Sequence, residues 1–221
     1  MDTMKMTKSQ ILKRYILLVI GLFFSAIGVA VTKYGDLGVS PISSVANVVA
    51  ERFRFFSLGN WLIIWNCILI LGQIILLRKK FKPVQLLQIP LSFLFGWFTD
   101  FGLWCVSFIP VNIYPIRLLM VMIGTVILGF GITLCVIANV VMNSGEAFVK
   151  AVSDTIHKNF GNVKIAFDIA CVIMAVFLSL IFFNLKIVGI REGTVIAALC
   201  TGLVLFVSLS EPKPPVFLQI K

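Results

Sequence analysis

Apolar residues in this chain gather into long runs, and six of the runs approach the length of about 20 residues that a helix needs to cross a lipid bilayer. Tyr15–Thr32, Phe55–Leu77 and Gly193–Ser210 hold no charged residue, and Leu118–Gly145 holds none over a stretch longer than one crossing requires. Val84–Val106 contains only Asp100, and Ile165–Leu185 only Asp168. The pattern predicts an all-α polytopic membrane protein with about six transmembrane helices.

Two of the connections are more than loops. GDLGVSPISSVANVVAERF follows the first run, and NVVMNSGEAFVKAVSDTIHKNF follows the fourth. Ser40 before Pro41 is a helix N-cap followed by proline at the first helical position. Asn143 or Ser144 can cap the second segment, with Glu146 in the first turn where the helix dipole favours a negative charge. Val45–Val49–Phe53 and Phe148–Val152–Ile156 then recur at four-residue steps, which predicts two short amphipathic helices near opposite membrane faces.

Composition removes the soluble alternatives. The chain is 60% hydrophobic and 13% charged with a mean hydropathy of +1.07, against roughly 25% charge in soluble domains. The net charge of +10 comes from short basic clusters between apolar runs, so no nucleic-acid partner is expected. With the N-terminus inside, only Lys33, Arg52, Arg54, Arg117, Lys186 and Arg191 fall outside, leaving 13 of the 19 Lys and Arg on the cytoplasmic side. Such a bias predicts both termini in the cytoplasm. Lys5, Lys8, Lys13 and Arg14 precede a first run too long for a signal peptide, which reads as an uncleaved span. The five cysteines lie in apolar runs without CxxC spacing, and His157 is the only histidine. They predict neither a metal site nor a cofactor.

The chain also resembles itself. An offset of 103 residues sets Gly21 on Gly124, Gly28 on Gly131, Asp36 on Asn139, Ser43 on Glu146 and Glu51 on Asp154. After one residue of gap, Gly59-Asn60 meets Gly161-Asn162 and Asn66 meets Asp168; an offset of 106 pairs Gln88 with Thr194. Each unit reads span, breaker, short helix, span, span. Three crossings is an odd number, so the second unit runs opposite to the first, as in many secondary transporters. The expectation is one membrane domain over 1–221, with inverted repeats at 11–109 and 113–210 and a cytoplasmic tail at 211–221. A duplicated membrane fold with no transport role would give the same pattern.

At GDLGVSPISSV, and again at NVVMNSGEAFVKAV, GNVKIAFD and VGIREGTVIAAL, the chain resembles the bacterial YczE/YyaS/YitT-type membrane protein family. The resemblance implies a bacterial inner-membrane location and no particular substrate, since that family is mostly of unknown function. It also implies a proline before Gly145, where this chain has Asn143-Ser144.

Candidate solute-binding residues are the polar groups at matched repeat positions: Asp36, Ser40, Asn66, Gln88, Asn139, Glu146 and Asp168. Carboxylates inside spans cost on the order of 2.5–3.5 kcal/mol at the helix centre, so they imply a task or a partner. For Asp168 the alternative to ligand binding is a salt bridge to Lys164, one turn earlier. Gln85, Gln88, Ser92, Gly96 and Thr99 form one helix stripe that either lines a path or packs helices closely. Arg191 and Glu192 read as a gate pair or an interfacial pair. Glu146, Asp154 and Asp168 lack metal-site spacing, and no nucleophile–base pair is evident, so no enzyme is expected. The leading expectation is a small transporter of an unidentified small-molecule solute in a lipid bilayer, an arrangement with which a homodimer is compatible. A substrate-capture subunit of a larger transporter and a structural or regulatory membrane protein stay open.

Overall fold

The computed structural model describes residues 8–111 and 113–198. These fold into α1 (Lys8–Tyr34), α2 (Pro41–Arg52), α3 (Leu58–Leu77), α4 (Gln88–Val106), α5 (Tyr114–Ala138), α6 (Ser144–Ile156) and α7 (Phe160–Phe182), and a further helix occupies 192–198. Five of the helices are long and apolar enough to cross a membrane. The sixth expected span, Gly193–Ser210, lies mostly outside the described residues, as does the tail at 211–221. The protein is an all-helical, multi-pass membrane protein.

The overlong run Leu118–Gly145 divides for a local reason. Asn139 takes the left-handed conformation at φ 49 and closes α5; Asn143 then caps α6 by accepting from the Ser144 amide. Asp36 ends the α1 segment in the same way at φ 55, and Ser40 with Pro41 starts α2. Asp and Asn are the non-glycine residues that tolerate this conformation best. The Asp36/Asn139 match is thus first a backbone requirement.

Both expected short helices form, as α2 and α6. Their N-terminal ends are buried and their C-terminal ends exposed: Pro41 to Val48 is almost wholly enclosed, whereas Arg52 and Phe53 are open. In α6 Ser144, Gly145, Glu146 and Ala147 are buried, and Ile156 is exposed. Each enters the bundle N-terminus first.

Helices α1 and α5 pack on each other along their length, running antiparallel. A Cβ built on Gly28 would lie 2.5 Å from the Leu128 amide nitrogen and 2.7 Å from the Gly124 carbonyl oxygen. One on Gly131 would lie 2.3 Å from the Ser25 amide nitrogen and 2.6 Å from the Gly21 carbonyl oxygen. Only glycine allows backbones so close, as in small-residue membrane interfaces. Helix α4 joins α1 to α3, α2 packs on α7 and α3, and α6 packs on α3 and α7. The outer faces are apolar: Ile64, Ile68, Leu71 and Ile75 of α3, and Ile165, Ile169, Ile173 and Phe177 of α7, are exposed at helical spacing, as lipid contact requires.

Candidate functional site

Two adjoining crevices open where the C-terminal half of α5, the 139–143 linker and the start of α6 meet α1 and α4. The larger is lined by Leu22, Ser25, Ile132, Cys135, Val136, Met142, Asn143 and Glu146, with about 20 Å³ of room, enough for one or two waters. The smaller shares Leu22, Cys135, Met142 and Asn143 and reaches Gln88, Val141 and Ser144.

Glu146 reaches this place because Asn143 caps α6 and the helix starts at the buried Ser144, which puts Glu146 in its first turn. It is 6% exposed, and its Oε2 has no hydrogen-bond partner. Burial pushes its carboxyl pKa up, opposed by the Lys164 ammonium and by its own backbone amide. Ser25, on α1, also lines the crevice and is buried, and its Oγ is likewise without a partner. Buried polar atoms in folded proteins are overwhelmingly paired, so two orphans on one crevice mark it.

Beside the crevice lies a satisfied polar cluster. The Gln73 and Gln88 amides each donate to the other at 3.0 and 3.1 Å, Gln73 Nε2 also donates to the Ser144 carbonyl, and the Ser92 and Ser144 hydroxyls bond at 3.1 Å. Replacing Gln73 by Leu should strand the Gln88 amide and cost about 1–3 kcal/mol of stability. The double change Gln73→Leu with Gln88→Leu should recover most of it in thermal unfolding; a double variant no more stable than the single would refute the pairing.

Of the residues singled out, Glu146 and Gln88 line the crevices. Asp168 does not: both of its oxygens accept from Lys164 Nζ at 2.5 Å in a buried ion pair one turn apart. Asn139 is the half-buried α5 cap. Asn66 is buried with its Nδ2 unpartnered. Asp36 and Ser40 sit at the other end of the bundle, where Ser40 Oγ donates to Ser43 Oγ at 3.0 Å. The α4 stripe serves packing and internal bonding. Thr99 donates to the Phe95 carbonyl, Gly96 abuts Gly59, and Asp100 accepts from Ser57 Oγ and the Gly59 amide at the start of α3.

That other end is closed. Arg117 Nη1 bonds Asp36 Oδ2 at 3.1 Å, the Gly193 amide donates to the Leu37 carbonyl at 2.8 Å, and Leu37, Gly38, Val39 and Ser40 are all buried. The counterpart linker is looser, with Val140, Met142 and Asn143 half-buried. The 103-residue offset that matches Asp36 to Asn139 also matches Arg117 to Arg14, so the repeat pairs Arg14 with an amide where it pairs Arg117 with an acid. Arg14 Nη1 is buried without a hydrogen-bond partner. This correspondence is legible in the sequence, but only the packing of α1 on α5 gives it a meaning. Cys135 and Ser25 also escape a search for ionisable groups, because a small residue in an apolar run carries no signal by itself.

The chain belongs to a family of unknown function, DUF6198. Its family model matches residues 12–208. The match covers all of the segments that suggested a bacterial membrane family, and it lends no support to the narrower YczE/YyaS/YitT grouping. No curated protein and no solved structure matches the chain. The DUF6198 assignment therefore comes without an activity.

Proposed function

We propose that this DUF6198 protein is a small inverted-repeat transporter of a small solute, set in a bacterial cell membrane with both termini in the cytoplasm. The observation that carries the reading is the reciprocity of the α1–α5 contact. Gly28 against Leu128 becomes Gly131 against Ser25 when each residue is exchanged for its partner at the 103-residue offset, and Gly21 against Cys135 becomes Gly124 against Thr32. The exchange also turns α2 on α7 into α6 on α3. Two halves, 11–109 and 113–210, related by an axis in the membrane plane account for both. Such halves place a site at their interface, and rocking of one against the other exposes it alternately.

The ends of the bundle differ as alternating access requires. The outer end is latched through Arg117 and Asp36, and the inner end, where the repeat matches that pair with Arg14 and Asn139, is ajar at the crevice. Cys135 on that crevice and its counterpart Thr32, wholly buried near the outer end, are natural reporters. In a background lacking the other cysteines, an impermeant thiol reagent should label Cys135 from the cytoplasmic side. Asn139→Asp would give Arg14 a carboxylate; a partly exposed pair contributes about 0.2–1 kcal/mol, so Cys135 labelling should fall up to about five-fold. In Thr32→Cys, breaking the outer latch with Asp36→Asn should raise labelling from outside by a similar factor. Labelling that moves in the same direction at both ends, or at neither, would overturn the transport reading in favour of a static scaffold or subunit. No enzymatic role is proposed.

A further inference from the structure

We infer that the inner crevice is a binding site for a small organic ammonium ion, with Glu146 as its counter-charge; this deepens the transport reading and rests on it. Three observations lead there. The first is charge. Three ionisable groups are clustered, Glu146 on α6 and Lys164 and Asp168 on α7, and the lysine is held by both oxygens of Asp168. Among the described residues no cation is bonded to Glu146. An ion without a partner in such a place bears a penalty of several kcal/mol, which a bound cation relieves.

The second is hydrogen-bonding capacity. Glu146 Oε2 and Ser25 Oγ are the orphaned oxygens on the crevice, each more than nine-tenths buried, while the Asn143 side-chain oxygen is occupied in capping α6. An ammonium head carries donors and no acceptor, and both oxygens can accept from it. The third is the wall. Leu22, Ile132, Val136 and Met142 supply the remaining surface. Hard metal ions collect about six or more oxygen ligands, which this wall does not offer, whereas an alkylammonium sets its carbon against it. The room of about 20 Å³ suits a head of methylammonium size. The matched position in the other half is Ser43, bonded to Ser40, so the counter-charge belongs to one repeat alone.

The test uses the full chain in proteoliposomes, with currents recorded on a solid-supported membrane during methylammonium chloride jumps. A saturable current above that of sodium chloride is expected. Glu146→Gln should reduce it at least ten-fold, and Ser25→Ala, which alters no charge, should raise the half-saturating concentration several-fold. Asp154→Asn, at an exposed ion pair with Lys150, should leave it unchanged. Methylammonium should also protect Cys135 from thiol labelling. The inference is overturned if neither current nor protection appears, if a pH jump alone reproduces the current, or if both Glu146→Gln and Ser25→Ala respond like the unaltered protein. Should Glu146→Gln fail to fold, Ser25→Ala and Cys135 protection decide the matter. Labelling of Cys135 and Thr32→Cys on the same preparation separates the two failures. Alternating accessibility without a methylammonium response ends the ammonium assignment alone, and loss of the alternation ends both.

Discussion

Asp168→Asn should be among the most destabilising conservative changes in this protein, at about 3–5 kcal/mol, because it leaves the Lys164 ammonium buried without its partner. The pair is almost fully enclosed, at 6% and 10% side-chain exposure, and both carboxylate oxygens are engaged. The magnitude comes from stranding a charge rather than from the worth of the bond. Lys164→Gln in the same chain should therefore restore much of the loss, since two neutral amides one turn apart can bond to each other. Thermal unfolding of the two single variants and the double variant measures the coupling directly. Additive losses would mean that the ammonium finds another partner when Asp168 is gone. The double variant should also keep methylammonium protection of Cys135, because Asp168 lies behind the crevice and not on it; loss of that protection with stability restored would return Asp168 to the binding site.

What the sequence discloses follows the range of the forces involved. Hydrophobic runs and capping signals are local, so the described spans and the helix starts at Ser40 and Asn143 can be read before any packing is known. The run Leu118–Gly145 shows the limit. Its hydropathy is continuous, and the change of direction depends on the left-handed turn at Asn139, which composition does not announce. The site is less legible. Acids in spans attract attention because their insertion is unfavourable, yet Asp168 and Asp100 are answered locally, by Lys164 and by the start of α3. Glu146 lies on the crevice because the 139–143 linker leaves a gap beside it, and a gap is a property of three packed helices. Repeat matching brought out Asp36 against Asn139, whereas Arg14 against Arg117 carries as much information at the same offset. Both are basic residues at the ends of apolar runs, where positive charge is ordinary, and only the closeness of α1 to α5 distinguishes them from membrane anchors.

That closeness can be tested at single glycines. Gly28→Ala should destabilise the protein by about 1–3 kcal/mol, the usual range for overpacking, despite the gain in helix propensity that Gly→Ala brings elsewhere. The atoms in the way are backbone: the Leu128 nitrogen at 2.5 Å and the Gly124 oxygen at 2.7 Å. Neither can turn aside, so α1 and α5 must separate. Gly131→Ala should cost a similar amount, because its neighbours, the Ser25 nitrogen and the Gly21 oxygen, are the counterparts of those atoms. Gly72→Ala supplies the contrast. There a Cβ would meet only the Phe148 ring edge, at 2.7 Å, which can swing away, and the change should be close to neutral. Once one methyl has pushed the helices apart at the Gly28–Gly124 contact, a second meets less resistance. The pair Gly28→Ala with Gly124→Ala should thus lose clearly less than the sum of its parts. Thermal unfolding in detergent, with the monodispersity of each variant checked by gel filtration, gives all four comparisons. Losses below about 0.5 kcal/mol at Gly28 and Gly131 alike, the range of surface substitutions away from special features, would mean that α1 and α5 do not touch backbone to backbone, and would remove the reciprocal contact on which the inverted repeat rests.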